Sequence, residues 1–325
     1  ESDWEGVRLH VVTGKGGTGK TTVAAALALA LAGQGRRTLL AEVENRQGIA
    51  QLFDVPPLPY AERKVAVGPA GGDVYALPVD SEEALLEYLD LFYRLGRAGR
   101  GLRKVGAIDF ATTVAPGMRD VLLTGKVYEA VRRRTGSTPV YDAVVLDAPP
   151  TGRITRFLGV TAEVAGLARV GPIHHQAESI IGLLRSPQTA VHVVTLLEEM
   201  PVQEAIDATR ELSRAGLPVG GVVVNATREP LLRATELTAA ARGRLDREQV
   251  AKGLAAAGVP AAEEALDGLL AEAGEHAQRV ALEKQERKQL KALDHPLYEL
   301  PLLPTGVDLG GLYRLAEELC RQGMA

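Results

Sequence analysis

Short apolar runs alternate with longer stretches of helical period along most of the chain. Leu9–Val12 is the first such run. Arg37–Val43, Val74–Val79, Tyr141–Asp147, Val191–Leu197, Val219–Asn225 and Leu297–Leu302 repeat it. Their length and their Val and Leu content predict buried strands. Between them the period changes to that of a helix. Thr22 to Gly33 is Ala/Leu-rich, and Val202–Ala215 and Leu309–Leu319 are amphipathic. Asp80 and Glu83 have capping-box spacing, with Leu85, Leu89 and Phe92 following on one helical face. Helical character then extends to about Thr135, interrupted at Gly96–Gly101 and at Ala115-Pro116-Gly117, and returns over Arg153–Leu184. From Pro230 to Leu293 it is continuous but for expected breaks near Gly253, Gly258-Val259-Pro260 and Gly274.

Strands alternating with helices predict an α/β fold, a mainly parallel sheet with helices on both faces. Several helical stretches are too long for plain crossovers. A single domain over 1–325 is therefore expected to carry a helical subdomain inserted at about 81–137 and 153–187, with 230–293 a candidate third part.

The first strand and helix are joined by a motif. Gly14-Lys15-Gly16-Gly17-Thr18-Gly19-Lys20-Thr21 is G-x-x-x-x-G-K-[ST], the phosphate-binding loop of P-loop nucleotide hydrolases. Its glycines let backbone N–H groups close on phosphate oxygens, and the helix N-terminus adds its dipole. Lys20 is expected to reach the terminal phosphates and Thr21 to bind Mg²⁺, so Gly14 through Thr22 is the candidate ATP/ADP site. Asp147 closes an apolar strand, as a Walker-B carboxylate on the metal side does.

Composition narrows the partners. The 325 residues are 46% hydrophobic and 24% charged, enough for a sizeable core. A net charge of −4 and 4% aromatics give no case for nucleic acid or an anionic membrane. Two basic stretches, Arg94–Lys104 and Arg132–Arg134, read as solvated faces or as contacts for an anionic partner. Cys320 is the only cysteine, which excludes an intrachain disulfide and an all-cysteine metal site. With no apolar run near the roughly 20 residues of a membrane helix and no visible leader, a cytoplasmic protein is expected. His174-His175 reads as a polar loop or, without further ligands at suitable spacing, a poor metal site.

Two motifs resemble a known family. Lys15, directly after the first glycine, looks like the signature lysine of the "deviant" loop in nucleotide-dimerised P-loop ATPases. Asp147-Ala148-Pro149-Pro150-Thr151-Gly152-Arg153, then Arg156-Phe157-Leu158, is similar to the switch II segment D-T-A-P-T-G-H-x-x-R-F-L of the ArsA-type ATPases: the arsenite-pump ATPase, the tail-anchored-protein-targeting ATPase and the single-domain actinobacterial "anion-transporting ATPases". The resemblance covers nearly the whole chain. It implies a Mg²⁺-dependent ATPase whose cycle opens and closes a dimer, with Lys15 reaching the partner's nucleotide and Asn225 contacting adenine. An asparagine that caps a turn is the plain alternative for Asn225. It also implies a membrane-protein or transporter client.

The chain departs from the family in three places. The switch I aspartate, the family's water-positioning residue, falls on Glu44. One added methylene moves a carboxylate by roughly 1 Å, a misplacement that can cost about 10²-fold in rate. Glu44 is thus either a weaker base or the mark of a poorly hydrolysing subunit, and the assembly either a homodimer or a heterodimer with an ArsA-like paralogue. The zinc cysteines and the arsenite-binding cysteines are both missing, so no structural zinc is expected. Only three methionines occur, too few for a Met-rich client groove.

Overall fold

A computed structural model describes residues 3–43, 47–69, 71–84, 86–87, 118–167, 172–260 and 262–325. Eight strands form one sheet: β1 (Leu9–Gly14), β2 (Arg37–Glu42), β3 (Arg63–Val67), β4 (Asp73–Pro78), β7 (Ala143–Asp147), β8 (Thr189–Thr195), β9 (Val219–Thr227) and β10 (Leu297–Pro301). Their order is β10-β9-β8-β1-β7-β2-β4-β3, parallel throughout except that β3 runs against β4. β5 (Arg134–Thr135) and β6 (Thr138–Pro139) make a separate small hairpin. β1 is buried along its whole length, as expected of a central parallel strand covered on both faces.

One face carries α1 (Lys20–Leu31), α2 (Gly48–Leu52) and α10 (Leu309–Arg321). From Val23 to Leu31 every residue of α1 is buried. A helix apolar all round needs a second cover, and α10 supplies it: Leu312, Leu315, Ala316 and Leu319 lie against α1 and the sheet in one apolar cluster. The small alanines of α1 permit that close three-layer packing. The other face carries α3 (Met118–Arg132), α4 (Thr151–Leu167), α5 (Pro172–Leu184) and α6 (Glu199–Arg214). Their buried residues, among them Val127, Phe157, Ile180 and Val202, join Val11, Leu39 and Val144 of the strands. The long α9 (Glu263–Lys291) packs against α6, and α7 (Ala234–Ala241) and α8 (Arg247–Ala256) pack on α9.

All seven expected strands are present within about two residues of their predicted ends. Three details differ. Gly253 and Gly274 do not interrupt helices: α8 and α9 run through them, because a glycine costs a helix interior only about 1 kcal/mol. Tertiary pairing adds β3, β5, β6 and α2. His174 and His175 lie in the first turn of α5, not in a loop. Residues 88–117, much of the first expected helical insertion, lie outside the described residues. Among the described residues no helix is long and apolar enough to cross a membrane.

Candidate functional site

β1 ends at Gly14 and α1 begins at Lys20, so residues 15–19 turn at the carboxyl edge of the sheet. β7 and β8 flank β1 there, and the crevice outside the carboxyl ends of such strands is where α/β sheets bind ligands. The turn is held from within. The Thr18 N–H and hydroxyl both donate to the Lys15 carbonyl, at 3.3 and 2.9 Å. Gly19 caps α1 in the left-handed region, at φ 85°. No acidic side chain stands in the first turn of α1, so its positive end is left to attract an anion.

The two nucleotide-site motifs meet directly. The Thr21 hydroxyl donates to Asp147 Oδ2 at 2.7 Å, and Asp147 is buried at the end of β7. Lys20, beside Thr21, is 8% exposed. The segment after Asp147 is pinned to β1: Thr13 Oγ1 donates to the Pro149 carbonyl at 2.7 Å, and the Ala148 N–H to the Val12 carbonyl at 3.0 Å. Hard oxygen donors fit Mg²⁺, which keeps several waters and takes one or two protein oxygens beside the phosphates. Thr21 and Asp147 would hold it. No group of three or more His, Cys, Asp or Glu suited to a metal occurs among the described residues.

Two of the expected site residues have partners within the chain. Asn225, near the carboxyl end of β9, donates through Nδ2 to the Thr18 carbonyl at 2.9 Å. A side chain on Gly19 would stand 2.3 Å from that nitrogen. The amide is thus a brace for the phosphate loop itself. Lys15 Nζ lies 2.7 Å from Glu204 Oε1 of α6, an ion pair within the chain, both side chains about a third exposed. Glu44 lies outside the described residues.

One further carboxylate stands at this edge, outside the motifs. Glu42, the last residue of β2, is 3% exposed and is the register partner of Asp147 on β7. Its Oε1 accepts from the Gly48 N–H at 3.0 Å. The signal was available: a glutamate ends the apolar run Leu39-Leu40-Ala41, as Asp147 ends its own strand.

Comparison with known proteins agrees with this geometry. The anion-transporting ATPase family matches residues 7–185. The ATPase BagA of Mycobacterium tuberculosis (strain ATCC 25618 / H37Rv) is 56% identical over 320 residues, 98% of this chain and 94% of that protein. An arsenical pump-driving ATPase of Acidiphilium multivorum is 25% identical over 229 residues, 66% of this chain and 38% of that protein. A chain folded around a phosphate loop, matched by the family over residues 7–185 and alike to the mycobacterial ATPase along nearly its full length, belongs to the family of ArsA-type anion-transporting ATPases.

Proposed function

We propose that this protein is a cytosolic, Mg²⁺-dependent ATPase whose nucleotide cycle opens and closes a dimer. The observation that carries the reading is the 2.7 Å contact of Thr21 with Asp147 beneath a phosphate loop. It brings the phosphate side and the metal side of the site together in one chain. The loop N–H groups and Lys20 hold the phosphates and stabilise the charge that grows on the transferred group. Mg²⁺, when bound, neutralises phosphate charge. Glu44 orients the attacking water, and Lys15 acts across the dimer on the partner's nucleotide. The helices α3, α4 and α5, which pack on one another, belong to the moving subdomain that meets a client.

The glutamate at position 44 favours a second reading, an ATP-binding subunit that hydrolyses poorly alone and works with an ArsA-like paralogue. Steady-state hydrolysis by wild type, Glu44→Asp and Lys15→Ala, with solution mass measured with and without ATP and Mg²⁺, separates the two. Turnover abolished by Lys15→Ala and an ATP-dependent dimer support the homodimeric enzyme. Tight binding without turnover, restored by Glu44→Asp or by the paralogue, supports the regulatory subunit. Failure to bind ATP sinks both.

A further inference from the structure

We infer that Glu42 is a second carboxylate of the metal corner, facing the hydration shell of Mg²⁺ beside Thr21 and Asp147; the inference rests on the nucleotide-site reading above. Register partners on parallel strands project to the same face of a sheet. Glu42 and Asp147 are such partners, on neighbouring strands, and the Thr21 contact fixes that face as the one bearing α1. Gly48 confirms the placement independently. A side chain on it would stand 3.4 Å from Glu42 Oε1, 3.2 Å from Thr21 Cγ2 and 3.9 Å from Thr21 Oγ1. The Glu42 oxygen is thus within about 7 Å of the Thr21 hydroxyl. A relay from hydroxyl to metal to water to carboxylate fits inside that limit, with metal–oxygen distances near 2.1 Å and one hydrogen bond near 2.7 Å.

Burial gives the pair its meaning. Glu42 and Asp147 are 3% and 7% exposed, so each carboxylate lies where charge interactions are weakly screened. A dication placed between them gains from both. The same carboxylate holds the start of α2, since its Oε1 accepts from the Gly48 N–H at 3.0 Å. Glu42 therefore ties α2 to the corner where the metal would sit. A glutamine would keep that hydrogen bond and lose the charge, so charge and anchoring can be separated.

The test uses the full chain loaded with ADP. Mn²⁺ titrated in place of Mg²⁺ is followed by loss of the free-ion electron paramagnetic resonance signal. Fluorescent ADP binding in EDTA reports the phosphate loop alone. For Glu42→Gln the expected result is ADP affinity in EDTA within twofold of wild type and Mn²⁺ affinity lowered by roughly 10-fold or more, the usual effect of losing a carboxylate that orients a metal's ligands. Mn²⁺ affinity within twofold of wild type overturns the inference and leaves the nucleotide site standing. Should Glu42→Gln not fold, Glu42→Asp, whose carboxylate is drawn back by one methylene, is expected to weaken Mn²⁺ in the same direction, and equality with wild type again overturns it. Wild type that binds no ADP refutes the proposed function instead.

Discussion

Two buried polar clusters lie along the same central strands, and they differ in kind. Toward the amino-terminal half, His10 of β1 and His192 of β8 stack with ring centroids 5.4 Å apart and ring nitrogens 3.1 Å apart. His192 Nδ1 accepts from the Gly221 N–H at 3.0 Å, and Trp4 packs edge-on against the His192 ring. Trp4 Nε1 in turn donates to the Tyr298 hydroxyl at 3.0 Å. At the carboxyl edge stand Lys20, Thr21, Asp147 and Glu42, formal charges of both signs beside a turn of backbone N–H groups. The first cluster has neutral rings in the core, and only its outer end reaches a charge, the exposed Asp3 carboxylate that accepts from the Tyr298 hydroxyl at 2.6 Å. The second gathers charge where loops leave the sheet. Burial of polar atoms does not by itself mark a site; buried charge at the switch point of a parallel sheet does.

The largest effect should come from the charged cluster. Lys20→Ala is expected to lower ATP turnover by about 10²–10³-fold, the usual loss when one preorganised group facing the transferred charge is removed, read by steady-state hydrolysis. A variant with near-normal turnover would remove the phosphate loop from the chemistry. The histidine cluster should show itself in stability instead. Burial pushes His10 down to about 4 and His192 well below its ordinary value, the His10 neighbour adding to the second shift. The unfolded chain therefore binds more protons than the folded one between about pH 6.5 and pH 4, and stability falls as pH drops through that window. His10 alone should account for about 2 kcal/mol of unfolding free energy between pH 7 and pH 5, measured by urea unfolding at the two values. A flat profile would mean that the pair is not neutral and buried. The smallest effect belongs to the rim of the site. Glu204→Gln, which removes the partner of Lys15, should change unfolding free energy by less than about 1 kcal/mol, as exposed ion pairs do. A larger loss in the same urea assay would make this contact part of the fold.

Much of this architecture is legible in the residues, for reasons that differ by element. Buried parallel strands must be apolar on both faces, so Val191–Leu197 and Val219–Asn225 announce themselves without context. The phosphate loop is equally plain, since Gly19 stands where any side chain would meet Asn225. The edge strand β3 was not foreseen: Arg63-Lys64-Val65-Ala66-Val67 is half exposed and its pairing with β4 is a tertiary fact. The hydrogen bond from Asn225 to a carbonyl 207 residues earlier in the chain is a tertiary contact that no local pattern announces. Glu42 closes an apolar run as Asp147 does, but only pairing of β2 with β7 puts the two carboxylates opposite each other.

The cover that α10 lays over α1 also sets a timetable. The helix that begins the nucleotide site is apolar on every side, and its cover lies about 280 residues downstream. At roughly 5–20 residues per second of synthesis, a ribosome needs on the order of tens of seconds to close that gap. For that interval the growing chain carries an Ala/Leu helix with one side bare, a substrate for holding chaperones and a seed for aggregation. Completion of the site is thus an event late in the birth of the chain, and truncations or fusions that delay α10 should reduce yield before they touch catalysis.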